Sequence, residues 1–320
     1  MKDHIEITRR SVLGTAAATL TLSAVFGGSA DAAGGEVLHS AGAEPPVQRA
    51  PAYACDCHFH IYNSDFPAAA NASIKPPDAR VPDYLQLRKR LGLSRGAIVT
   101  PSTYGTDNSC TLDAIAQLGS SARGVAVVDT SVSDAELKHL HEHGIRGIRF
   151  NIARAGATTV EMIEPLARRV AGFGWHVQVH MPADAIVANA AILERLPVPV
   201  VFDHLGRIPQ PEGKSHPAFA MIMWMLGKGK AWVKISGMYQ DTKIGPPTYS
   251  DIGELAKAYI QHAPERVVWG SDWPHPTKGS FGVPNDALLF DLVAGWAGPE
   301  SWKRMLVTNP ETLYDFAKTA

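Results

Sequence analysis

Ala54-Cys55-Asp56-Cys57-His58-Phe59-His60-Ile61 is a short, largely apolar run ending in two histidines, and its reading decides the fold. Side chains alternate across a strand, which places Asp56, His58 and His60 on one face and Cys55, Cys57 and Phe59 on the other. Two imidazoles so spaced at a strand end can share a metal ion or polarise one substrate oxygen. A His-x-His pair alone is also compatible with a satisfied, half-buried structural role, so the rest of the chain has to decide its meaning.

Working outward, similar runs recur near residues 96–100, 124–129, 147–151, 176–180, 198–203, 232–236 and 267–271. Helical patterns separate them at about 83–91, 111–118, 134–143, 159–173, 183–196, 217–227 and 249–262, and stretches at 284–297, 299–306 and 311–317 close the chain. Ser133-Asp134-Ala135-Glu136 has the Ser-x-x-Glu form of a helix start, Gly144 suits the end of that helix, and Pro264 follows another. Eight strands alternating with helices predict an α/β protein, a single (β/α)8 TIM barrel. A doubly wound sheet is the alternative, but no glycine-rich dinucleotide fingerprint follows the first strand.

The 320 residues are 45% hydrophobic and 19% charged with a net charge of −1, the profile of an ordinary globular protein. There is no basic excess and no basic stripe with interleaved aromatics, so no nucleic-acid partner is expected. Recognition of an anionic small molecule therefore has to be local. Residues 1–32 read separately: Thr8-Arg9-Arg10-Ser11-Val12-Leu13, an uncharged stretch from Gly14 to Ala30, and Ala30-Asp31-Ala32 resemble a twin-arginine export signal with its cleavage site. The expected location is periplasmic or secreted, without stable membrane insertion after cleavage; a transmembrane anchor is the alternative, for which the run is short. Residues 33–50, rich in Ala, Gly and Pro, are expected to form a flexible lead-in to a domain spanning 51–320. Cys55, Cys57 and Cys110 make no disulfide framework in a chain this long.

In a barrel, chemistry collects at the C-terminal ends of strands. His58 and His60 end the first strand, while Ser102, Tyr104, Thr106 and Asp107 follow the second. Arg149 and Asn151 end the fourth, His180 the fifth, Asp203-His204 the sixth and Ser236 the seventh. Ser271-Asp272-Trp273-Pro274-His275 ends the eighth. Any one of these has a bland explanation, since strand ends meet solvent. Their convergence on one rim does not.

His-x-His on the first strand, His on the fifth and sixth, and Ser271-Asp272-Trp273-Pro274-His275 on the eighth together resemble the amidohydrolase superfamily, from about Ala52 to Phe316. Tyr104-Gly105-Thr106-Asp107-Asn108, Gly144-Ile145-Arg146-Gly147-Ile148-Arg149-Phe150-Asn151, Asp203-His204-Leu205-Gly206-Arg207, Lys234-Ile235-Ser236-Gly237 and Asn309-Pro310-Glu311-Thr312-Leu313-Tyr314 are similar to its subgroup of 2-pyrone-4,6-dicarboxylate hydrolases and sugar-acid lactonases. The resemblance implies hydrolysis of a carboxylated lactone. Asp272 would act as base toward water, and His58, His60 and His180 would polarise the carbonyl. His204 would join them or orient an aspartate behind them. Arg149, Arg154 and Arg207 are candidates for gripping substrate carboxylates, with Ser102, Tyr104 and Thr106 as hydrogen-bond donors. Where binuclear members carry a metal-bridging lysine at the end of strand four, this chain has Arg149, which argues against two metals. One divalent ion such as zinc on His58, His60, His180 and Asp272 is compatible, as is metal-free chemistry.

Two features are set aside. His139, His141 and His143 close the helix before strand four and so belong to the opposite face, where they complement a helix C-terminus. Met221, Met223 and Met225 with Trp224 form an apolar helix patch expected to pack on the barrel. The rival functions are a lactone isomerase of the same subgroup, a zinc-dependent decarboxylase, and a sugar-acid binding protein on an inactive barrel. The resemblance associates the isomerase with loss of the first-strand histidines, so intact His58 and His60 favour hydrolysis.

Overall fold

A computed structural model describes residues 34–153, 156–277 and 279–319. Its strands are β1 (Cys55–Phe59), β2 (Arg95–Val99), β3 (Ala122–Ala126), β4 (Ile145–Asn151), β5 (His176–His180), β6 (Val200–Phe202), β7 (Ala231–Ile235) and β8 (Val267–Trp269). They lie parallel in chain order in one eight-stranded sheet. The crossovers are α1 (Val81–Leu91), α2 (Ser109–Leu118), α3 (Asp134–Glu142), α4 (Ile163–Val170), α5 (Ala183–Ala188), α6 (Ala190–Arg195), α7 (Pro217–Gly227) and α8 (Ser250–His262). After β8 come α9 (Asp286–Lys303) and α10 (Asn309–Leu313). The expected (β/α)8 barrel is what the chain forms.

The strands are apolar runs because both of their faces are covered. Outward residues such as Phe59, Ile98, Ile148, Phe202 and Val233 pack under the helices. Inward residues, among them Cys57, Ala97, Val99, Val125, Val201 and Trp232, form a second core with Tyr314 and Phe316 of the tail. That tail closes the N-terminal end of the barrel: Glu311 pairs with Arg95, Asp315 with Arg146, and the Tyr314 hydroxyl donates to the Cys57 carbonyl.

The strict alternation expected of the first strand fails. Asp56 pairs with Gly96 and Phe59 with Ile98, so three steps on β1 match two on β2, which is a β-bulge. The bulge sends both Cys57 and His58 inward and leaves Asp56 outward, where its carboxylate accepts from the Tyr84 hydroxyl on α1 (3.4 Å). Asp56 therefore does not share a face with the histidines. It serves the barrel seam instead. No ladder joins β8 to β1 among the described residues; Asp56 accepts from the Ser271 amide (3.0 Å) and hydroxyl (2.6 Å). Two backbone bonds complete the seam, Asp272 N to His58 O (2.7 Å) and His60 N to Trp273 O (2.8 Å). Gly270 permits this approach, because a Cβ there would lie 2.5 Å from the His58 Cβ.

Other departures have local causes. β3 stops at Ala126 rather than Asp129, because the Asn108 side chain takes the Val127 amide and carbonyl, both at 2.9 Å. The helix expected over 183–196 breaks at Asn189, whose side chain takes the Ala185 carbonyl. Trp224, expected to be packed, stands 46% exposed on α7. Residues 34–50 do not hang loose: the Trp273 indole donates to Leu38 O, Arg90 donates to Gly42 O, and the Val47 and Gln48 amides donate to Asp291. The segment is a strap over the loop that carries Asp272. The export signal expected over 1–32 lies outside the described residues, and within them no helix is long and apolar enough to cross a membrane.

Candidate active site

A cleft of about 340 Å³, including its open mouth, lies at the C-terminal end of the barrel and is lined by His60, Ser102, Arg149, Asn151, His180, His204, Gln240 and Asp272 among others. Asp272 is its centre. One carboxylate oxygen, Oδ2, accepts from the Tyr239 hydroxyl (2.6 Å) and from Gln240 Nε2 (2.9 Å). The other, Oδ1, faces three imidazole nitrogens: Nε2 of His58 (3.5 Å), His60 (3.5 Å) and His204 (3.9 Å). Asp272 is held in the left-handed region (φ 64°), a conformation rare for aspartate and characteristic of constrained functional positions.

Each ring is oriented from behind. His60 Nδ1 lies 2.7 Å from the Val99 carbonyl, which can only accept, so Nδ1 carries the proton and Nε2 offers its lone pair to the cleft. His204 Nδ1 meets the Ser236 hydroxyl at 2.9 Å. His180 Nε2 accepts from Arg207 Nη1 at 2.8 Å. His58 lies beneath the others, fully buried, with Nδ1 3.2 Å from Asp203 Oδ1. Asp203 Oδ2 in turn accepts from Arg149 Nε (2.9 Å) and Gln178 Nε2 (3.1 Å).

The turn after β6 explains how one short motif serves three directions. His204 (φ 50°), Leu205 (56°), Gly206 (75°) and Arg207 (51°) form a left-handed run. Such a run costs roughly 1–2 kcal/mol for each residue with a Cβ. Gly206 also abuts Ile222, leaving no room for a side chain. The run swings His204 toward Asp272 and returns Arg207 to His180.

Burial sets the electrostatics. It lowers the basicity of His58 and His180 well below the ordinary histidine range, with Lys234 adding to it for His58 and Arg149 for His180. His204 is also lowered by burial, against the opposing pull of Asp272 and Asp203. Burial alone would raise Asp272, but His204, His60 and His58 outweigh it and hold the carboxyl well below the usual range. Asp203 follows the same pattern, with His58 and Arg149 overcoming its burial. Burial thus favours the neutral form of His58, His180 and His204 beside an Asp272 carboxyl held toward its ionised form.

Of the residues expected from the sequence, His60, His180, His204, Asp272, Arg149 and Ser102 meet at the cleft, and His58 supports it from below. Arg207, expected to grip substrate, is engaged by protein partners: Asp241 grips its Nε and Nη2 (2.6 and 2.8 Å), and its remaining arm holds His180. The Tyr104 hydroxyl is engaged by the Asn63 backbone, and Thr106 is exposed away from the cleft lining. Arg154 lies outside the described residues. Sequence reasoning missed Tyr239, Gln240 and Gln178, and gave Lys234, though part of a quoted motif, no role of its own. Lys234 left a signal, since a lysine in the apolar run Ala231-Trp232-Val233-Lys234-Ile235 shares the inward face with Trp232.

The residues fit one divalent ion, in a set different from the expected one. His58 Nε2 is buried without a hydrogen-bond partner, and ligand atoms of His58, His204 and Asp272 lie within 4.8 Å of one another. His180 is not part of that group, because Arg207 occupies its Nε2. An ion there would act as a Lewis acid toward a carbonyl oxygen. It would need the lone pair of His58 Nε2, with the ring proton on Nδ1 toward Asp203.

Comparison with known proteins accords with this geometry. The chain is 34% identical over 282 residues to a 2-pyrone-4,6-dicarboxylate hydrolase of Comamonas testosteroni, covering 84% of this chain and 92% of that one. It is 31% identical over 268 residues to a 4-sulfomuconolactone hydrolase of Hydrogenophaga intermedia, covering 81% and 88%. A D-galactarolactone isomerase of Agrobacterium fabrum is 28% identical over 284 residues, covering 87% and 97%. Among solved structures, one from Agrobacterium tumefaciens superposes with a TM-score of 0.80 at 26% identity, covering 88% of this chain and 99% of that one. The amidohydrolase family model matches residues 55–316. On that match, and on its 34% identity to a curated relative, the chain belongs to the amidohydrolase family.

Proposed function

We propose that the protein is a hydrolase that opens a carboxylated lactone. The observation that carries this reading is the division of labour within Asp272, whose Oδ2 is anchored by Tyr239 and Gln240 while Oδ1 stays available beside His60 Nε2. A water between these two acceptors gives its proton to Oδ1 as its oxygen attacks the lactone carbonyl carbon. His204, oriented by Ser236, stabilises the developing oxyanion from the cleft wall, with His180 held beside it by Arg207. The ring C–O bond then breaks, and Asp272 returns the proton to the leaving oxygen. Water and lactone become a hydroxy acid.

Arg149 selects the substrate. Its Nε is held by Asp203, and its guanidinium lines the cleft, a fork suited to a carboxylate. The curated hydrolases it resembles act on lactones by name, and a structure from Acinetobacter baumannii, 25% identical with a TM-score of 0.72, holds citric acid. A metal-assisted form of the same proposal would place one zinc ion on His58, His204 and Asp272, and would require the His58 ring proton to sit on Nδ1. Export through the Arg9-Arg10 signal is also proposed, and cell fractionation tests it.

The test is turnover of pyrone-carboxylate and sugar-acid lactones in ¹⁸O water, with and without chelator, followed by NMR and mass spectrometry. Hydrolysis puts one labelled oxygen into the new carboxylate. Ring migration without label would replace the reading with isomerisation, and carbon dioxide release would replace it with decarboxylation.

A further inference from the structure

Lys234 lies inside the barrel and is completely buried. A buried ammonium is tolerated where its protons find acceptors. One goes to the Cys57 carbonyl (2.8 Å) and one to Gln178 Oε1 (2.7 Å). Gln178 is itself fixed, because its Nε2 donates to Asp203 (3.1 Å), so its oxygen has to face the lysine. The third proton meets His58 Nδ1 at 3.3 Å. Asp203 Oδ1 is near the same ring nitrogen, at 3.2 Å, yet it has no hydrogen-bond partner: it lies off the line that an N–H would need.

An ammonium only donates, so the nitrogen it meets has to offer a lone pair. A neutral imidazole with its lone pair on Nδ1 carries its proton on Nε2. In His58 that atom is buried, unpartnered and 3.5 Å from Asp272 Oδ1. We propose that Lys234 is a positioning residue that holds His58 in the Nε2–H form, leaves that N–H beside the Asp272 carboxylate, and so withholds from a divalent ion the lone pair it would need. Metal-free chemistry then follows from a lysine three strand positions above the barrel floor rather than from a missing ligand. The inference rests on the lactonase reading only for the role of Asp272; the tautomer and the ion affinity do not depend on any substrate.

The test uses the full chain labelled with ¹⁵N-histidine, with His58→Gln identifying the His58 signals. In the parent protein, Nε2 of His58 is expected at the shift of a protonated ring nitrogen and Nδ1 at that of a lone-pair nitrogen. In Lys234→Met, which keeps the length without the donor, the proton moves to Nδ1 toward Asp203. Zinc affinity, read by competition with a chromophoric chelator, then rises about tenfold or more, the scale of groups that stand behind metal ligands. A parent His58 protonated on Nδ1 overturns the proposal, and that measurement stands even where Lys234→Met does not fold. A folded variant with the parental tautomer and zinc affinity overturns it as well. Absence of lactone turnover in the parent leaves both readouts intact and counts against the proposed function alone.

Discussion

The barrel carries histidines at both ends, and the two groups could hardly differ more. At the floor, His139, His141 and His143 are close in sequence but each is satisfied locally. His143 and His139 stack on the surface with ring centroids 4.1 Å apart, and His143 Nδ1 bonds the His139 carbonyl. His141 accepts from the Trp175 indole. At the mouth, His58, His60 and His204 come from β1 and the turn after β6, and all three direct Nε2 at one carboxylate oxygen. Density of histidines along a chain is therefore a poor guide. What makes a centre is that each ring's outer nitrogen is fixed by a partner, which commits the inner one.

The largest effect that would break this contrast is expected from Asp272→Asn. The amide cannot take a proton from water, so kcat falls about 1,000-fold or more with little change in unfolding midpoint. Parental turnover in that variant would remove the mouth's privilege. Arg149→Lys keeps a charge but loses the fork, and KM for a carboxylated lactone rises about 10- to 100-fold, measured beside an uncharged lactone that is spared. Asp56→Asn attacks the seam instead of the chemistry. It sets an amide against donors and costs about 2–3 kcal/mol, read from urea unfolding.

The floor has its own signature in acid. Burial pushes His176 down to about 3, whereas an unfolded histidine titrates near 6.5. Below pH 6.5 only the unfolded chain takes up this proton, so stability is full above that value and is lost as pH falls toward 3. Between pH 6.5 and 5 the loss from this one group is roughly 2 kcal/mol. His176→Gln removes that share of the slope, and urea midpoints at the two pH values measure it. The smallest effect is expected from His139→Gln with His143→Gln, which leaves kcat/KM within about twofold. A tenfold fall would mean that the floor takes part in the chemistry.

Much of this arrangement was legible in the residues. Strands covered on both faces read as apolar runs, and the polar residues that end them, His60, His180, His204 and Asp272, do gather in one cleft. The remainder depended on geometry that no period conveys. A single bulge moved Asp56 to the far side of β1. Four left-handed residues turned Arg207 onto His180 and Asp241. Tyr239 and Gln240, which anchor the base, sit in a loop whose path is set by packing rather than by a local pattern. Lys234 was visible as an oddity inside an apolar strand, but its partners Cys57 O, Gln178 and His58 belong to strands far away in sequence.

The seam between the first and last strands has a consequence in time. Asp272 and His58 become neighbours only when the two ends of the barrel are brought together by Asp56 and Ser271. Contacts that enclose nearly the whole chain carry the largest loop entropy and form slowly. During refolding, helical signal and tryptophan burial should precede catalysis, and the recovery of turnover would clock the moment of ring closure. A partly synthesised chain that has not yet produced its last strand holds every histidine of the centre, His58, His60, His180 and His204, but no base, so it is silent until the ends meet.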